Sequence, residues 1–101
     1  MLSRYVEQLL NVYNYIEGIV ITDKYGYIEY YKNYRPDLNK LKEKEVRRKH
    51  ITEVYPDLTE ETSSILRVLK TGKPISNEFQ VLKTYKGQSI NAINTTLPIR
   101  Q

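Results

Sequence analysis

The sequence predicts an α+β domain: an antiparallel sheet covered on one face by short helices, with an amphipathic helix ahead of it. Three observations point there. The apolar period changes from helical to alternating at Gly18. Two strand pairs each straddle a glycine-containing turn, Asp23-Lys24-Tyr25-Gly26 and Lys86-Gly87. Finally, strands and helices come in runs rather than in regular alternation, which favours segregated layers over a parallel βαβ sheet.

At the N-terminus, Leu2, Val6, Leu9, Leu10, Tyr13 and Ile16 recur at three- and four-residue spacing and so form one stripe of a helix, with Ser3 as a cap and Gly18 as a left-handed stop. Residues 1–17 are therefore read as a flanking helix and residues 18–101 as the domain proper. Ile19 to Thr22 is a β-branched run suited to a pleated surface, and Tyr27 to Tyr31 is its partner. Strict alternation puts Ile28 and Tyr30 on the inner face, and Tyr27, Glu29 and Tyr31 on the outer. Beyond Asn33, Pro36 and Asp37 suit a helix start, and short helical turns are expected up to Pro56. A firmer helix is expected next, capped by Asp57 or Thr59, running through Leu69 and stopping at Gly72. Two extended runs, residues 74–85 and 88–99, end the chain as a hairpin.

Composition limits the function. At 101 residues one small domain is expected, and 40% apolar with 28% charged residues fits a folded globular chain. No transmembrane span or secretory signal is legible, since Arg4, Glu7 and Gln8 interrupt the N-terminal run, and a cytoplasmic protein is expected. The lack of cysteine agrees, and it removes thiol chemistry and thiolate metal sites. The basic run Lys40 to His50 reads as a solvated surface rather than a membrane or nucleic-acid patch.

Several separated pieces together resemble the PAS sensor domain over nearly the whole chain. They are Glu17-Gly18-Ile19-Val20 with Asp23 and Gly26, Lys49-His50 with Glu53-Val54-Tyr55-Pro56, Leu69-Lys70-Thr71-Gly72-Lys73-Pro74, and Ile93-Asn94 with Pro98-Ile99. The chain is most similar to the N-terminal PAS module of bacterial activators that work with the sigma-54 form of RNA polymerase, especially regulators of arginine and related catabolism. The resemblance implies a non-enzymatic sensor that controls a downstream ATPase and DNA-binding region. It departs from the pattern at Arg48, where relatives have glycine. It also implies a fifth strand after Leu97-Pro98-Ile99, which a sequence ending at Gln101 leaves missing. A homodimer, or a swapped or rearranged sheet, is expected to compensate.

Polar residues on a buried strand mark the candidate site. Asn94 and Thr96 need partners there, and they are positioned to grip the polar end of an amino-acid-like metabolite, with Tyr30, Tyr34 and Tyr55 as walls and His50 or Arg47 at the entrance. The alternative is that these side chains bond only one another in a filled, interaction-only module. Leu2, Val6, Leu9, Tyr13 and Ile16 either pack on their own sheet or pair with a second copy; flanking helices of PAS domains often pair, which favours a dimer interface. No catalytic set, metal or cofactor is expected: His50 has no acidic-histidine cluster for metal chemistry and is read as a hydrogen-bonded imidazole rather than a haem ligand, and a flavin photosensor lacks its cysteine. Tyr25 to Tyr30 resembles the aromatic strand of an RNA-recognition motif, but only one helix and one strand precede it, so RNA binding is the weaker alternative.

Overall fold

A computed structural model of the protein describes Arg4, Val6, residues 17–37 and residues 39–99. The described elements are β1 (Gly18–Thr22), β2 (Ile28–Asn33), α1 (Glu43–Val46), α2 (Ile51–Val54), α3 (Ser64–Thr71), β3 (Ile75–Lys83) and β4 (Ser89–Thr96). The α+β class holds. Strands pair antiparallel as β1 with β2 and β3 with β4, in two separate two-stranded sheets rather than the single sheet expected, because no backbone pairing links the two hairpins among the described strands.

In the first pair a bulge sets the faces. Ile21 faces Tyr30 and Thr22 faces Ile28, so Glu29 is an extra residue on β2. One extra residue reverses the parity of the strand beyond it. Ile28 and Tyr31 are therefore both buried in the main core, whereas Tyr30 joins Val6, Ile19 and Ile21 on the opposite face. The inner pair is Ile28 and Tyr31, not the expected Ile28 and Tyr30. Gly26 takes the expected positive φ, 90°, in the connecting turn. Asp23 Oδ1 accepts from the Tyr25 and Tyr27 amides at 2.9 and 3.0 Å, closing that turn. Gly18, expected to be a left-handed stop, is instead the first residue of β1. Its role there is steric, since a Cβ would lie 3.3 Å from the Lys32 carbonyl oxygen.

Between the hairpins, the expected helical turns appear as α1 and α2. Val46 and Val54 anchor them in a core completed by Leu41, Ile51 and Tyr55. Arg48 adopts φ 70°, so the turn keeps the glycine-like shape without the glycine. Its amide donates to the Ile28 carbonyl at 2.7 Å, and the Ile28 amide donates to the Lys49 carbonyl at 2.9 Å, which fastens this loop to β2.

The longest helix starts later than expected. Ser63, not Asp57 or Thr59, caps α3, its Oγ accepting from the Leu66 amide at 3.2 Å. Thr59 instead closes the turn before it, bonding Thr62. Gly72 ends α3 in the left-handed conformation, as expected. Val20 from β1 and Leu82 from β3 pack on the same core cluster, so one apolar centre joins the two sheets. The Tyr85 amide adds a polar tie to the Val54 carbonyl at 2.8 Å.

Candidate functional site

The inner face of β3 and β4 is unusually polar. Along β4, Ile90, Ala92, Asn94 and Thr96 are half-buried while Asn91, Ile93 and Thr95 are exposed. Along β3, Glu78, Gln80 and Leu82 are half-buried, while Phe79, Val81 and Lys83 are exposed. A bulge between Ile75 and Glu78, with Asn77 at φ 54°, sets this phase.

The half-buried polar groups face the start of α3. Thr96 Oγ1 donates to Ser64 Oγ at 2.9 Å. Asn94 Nδ2 donates to Gln80 Oε1 at 2.6 Å, and Gln80 Nε2 donates to the Thr62 carbonyl at 2.8 Å. Arg67 pairs with Glu78 through Nη2, with both side chains about two-thirds covered. Glu78, hydrogen-bonded and oppositely charged, holds the Arg67 guanidinium still more firmly protonated. Ser63 and Ser64 are buried beneath this layer. The result is a seam of one cation, one anion, two amides and hydroxyls, in which each group satisfies another.

A second polar knot lies within the core. Asn39 Nδ2 donates to the Tyr31 hydroxyl at 3.2 Å, and Asn33 Nδ2 donates to the Asn39 carbonyl at 2.6 Å. Tyr55 lies beside Tyr31, and burial, with Tyr31 adding to it, pushes its hydroxyl up to about 12.

The sequence-derived candidates do not form one cluster. Asn94 and Thr96 lie in the seam, and Tyr55 lies in the core. Tyr30 packs on the other side of the first sheet, and Tyr34 is exposed beneath the Lys32 ammonium, 5.8 Å from its ring centre. His50 caps α2: Nδ1 accepts from the Thr52 amide at 3.2 Å, and Nε2 lies 2.9 Å from the Tyr25 carbonyl oxygen, so the proton sits on Nε2. Glu53 accepts from the His50 amide, completing a capping box. Both ring nitrogens are thus engaged within the chain. Arg47 lines, with Asp23, Tyr27, Ile28, Glu29 and Arg48, an open cleft of about 500 Å³ that includes neither Asn94 nor Thr96. Among the described residues, no group of three or more histidine and acidic side chains is placed to hold a metal.

Of the expected dimer contacts, Leu2, Leu9, Tyr13 and Ile16 lie outside the described residues. Val6 is buried against Ile19 and Ile21 of its own sheet. Sequence reasoning missed Ser63, Ser64, Arg67, Glu78 and Gln80. Their signal was the two-residue spacing of Glu78 and Gln80 against exposed Phe79 and Val81, which becomes readable once the phase of the strand is known. No described helix is long and apolar enough to cross a membrane.

No family model matches the chain, and no solved structure matches it. Among curated proteins, the transcriptional activator RocR of Bacillus subtilis (strain 168) is 30% identical over 84 residues. That stretch is 83% of this chain and 18% of the activator, and it supports a relation between this chain and the family of that transcriptional activator.

Proposed function

We propose that the chain is a PAS-type sensory module of a bacterial, cytoplasmic transcriptional activator, non-catalytic and able to bind a small polar metabolite. The similarity to an activator supports the regulatory role. The observation that carries the sensing role is the seam of Arg67, Glu78, Gln80, Asn94 and Thr96 against Ser64, where a sheet of this size ordinarily buries apolar side chains. A zwitterionic, amino-acid-like ligand matches it: a carboxylate replaces Glu78 at Arg67, an ammonium replaces Arg67 at Glu78, and the amides take the remainder. Occupancy then shifts the packing of α3 on β3 and β4, and with it a downstream ATPase and DNA-binding region acting with sigma-54 polymerase. The module works as a homodimer.

Thermal unfolding of the chain with a panel of amino acids and related metabolites tests this. A ligand at one hundred times its dissociation constant adds about 2.7 kcal/mol, a rise on the order of 10 °C. Asn94→Ala should abolish the rise while keeping a cooperative transition. A panel without any shift, together with a native mass spectrum free of retained small molecules, sinks the sensing role.

A further inference from the structure

The second hairpin turns three large apolar residues outward, while Leu82, Ile90 and Ala92 look inward. Phe79, Val81 and Ile93 are 64, 61 and 71% exposed. Phe79 and Ile93 are direct cross-strand partners, and Val81 is one alternation along, so the three form one continuous strip on the face opposite Ser64 and Arg67. The corresponding face of the first hairpin is handled differently: Ile19 and Ile21 are buried, with Val6 over them. Among the described residues nothing performs that service for Phe79 and Ile93.

We propose that this strip is a self-association surface whose occupant is the same strip on a second copy of the chain. This rests on the homodimer reading and gives it a location. Three properties favour a second copy over a partner of different chemistry. Lys83, at the turn end, is the only charged outward side chain of the two strands, so the face offers no pattern for an oppositely charged partner to match. An apolar centre edged by Asn91, Thr95 and Ser89 has the composition of an interface core and rim, and it is complementary to itself. The size also fits. The strip exposes on the order of 400 Å² of apolar surface, at the scale of functional patches. Two copies with their flanking amides and hydroxyls would bury about 1,000 to 1,200 Å², the lower bound for a specific interface. A twofold axis lying across the strands stacks Phe79 on its counterpart and Ile93 on its counterpart, and sends the two Lys83 ammoniums to opposite ends.

Sedimentation velocity of the full chain across roughly 5 to 500 μM tests the surface. The wild type should show a concentration-dependent monomer-dimer equilibrium. Phe79→Thr with Ile93→Thr places β-branched residues of high strand propensity on exposed strand positions, so folding should persist, checked by far-ultraviolet circular dichroism. That pair should raise the dissociation constant about a hundredfold. If the pair does not fold, Asn91→Arg, which sets two like charges on the strip, should weaken the dimer at least about tenfold. A wild type that stays monomeric throughout overturns both the surface and the homodimer, and leaves the strip covered by residues of its own chain. A dimer of unchanged affinity in the folded variants overturns the surface alone and sends the contact to the N-terminal stripe.

Discussion

At the scale of single residues, Arg48 shows how a turn survives an unfavourable choice. Its φ of 70° lies where a side chain costs roughly 1 to 2 kcal/mol, yet the bonds from Arg48 to Ile28 and from Ile28 to Lys49 hold it there. Arg48→Gly should therefore stabilise the protein by about 1 kcal/mol, partly offset by the freer unfolded chain, and raise the urea midpoint without changing the slope. A lowered midpoint would mean that the Arg48 side chain contributes more than its strain costs. Tyr55 gives a pH dependence with a definite sign. Its folded-state value, about 12, lies above the ordinary 10, so the unfolded chain loses this proton first as pH rises. The contribution of this group is intact below about pH 10 and should be lost between pH 10 and 12, by on the order of 2 to 3 kcal/mol if this group acts alone. Tyr55→Phe should remove most of that slope in urea titrations at stepped pH.

At the scale of elements, the two bulges decide which side chains look inward. The extra residue Glu29 sends Tyr31 to the core and Tyr30 to the Val6 side. Tyr31→Ala should cost about 3 to 5 kcal/mol, and the half-buried Tyr30 distinctly less; the reverse order in chemical denaturation would restore unbroken alternation. The turn between β1 and β2 is equally constrained. Gly26 has φ 90°, and a Cβ there would stand 2.7 Å from His50 Nε2, inside the capping arrangement of α2. Gly26→Ala should lower stability by at least about 2 kcal/mol and disturb the His50 imidazole resonances. The glycines of this turn and of the α3 stop were legible in the sequence because the chain chemistry of such positions is local. The bulges were not, since one added residue leaves the pattern of residue types unchanged and alters only which neighbour each one meets. Ser63 was missed as a cap for a related reason: several earlier hydroxyl and acidic residues could serve, and packing at Ser64 and Val68 chose among them.

For the whole molecule, the two sheets share one centre. Ile28 is 2% exposed within a cluster that Val20 from one hairpin and Leu82 from the other both touch. Ile28→Ala should thus cost about 2 to 5 kcal/mol, a large part of the total stability of so small a domain, and both hairpins should melt together. Tyrosine fluorescence and far-ultraviolet circular dichroism should trace coincident curves in the wild type and the variant; two separated transitions would mean independent hairpins.

The sequence by itself determined the order of the described elements from Gly18 onward, the antiparallel pairing within each hairpin, the turns at Gly26 and Gly87 and the end of α3 at Gly72, because these arise from local backbone preference and short-range periodicity. Tertiary structure alone decided the partners. It set Glu78 against Arg67 and Thr96 against Ser64, divided the tyrosines between the core and two surfaces, and left Phe79 and Ile93 facing out. Those outcomes depend on strand phase and on which layer lies opposite, and both come from contacts between residues far apart in the chain.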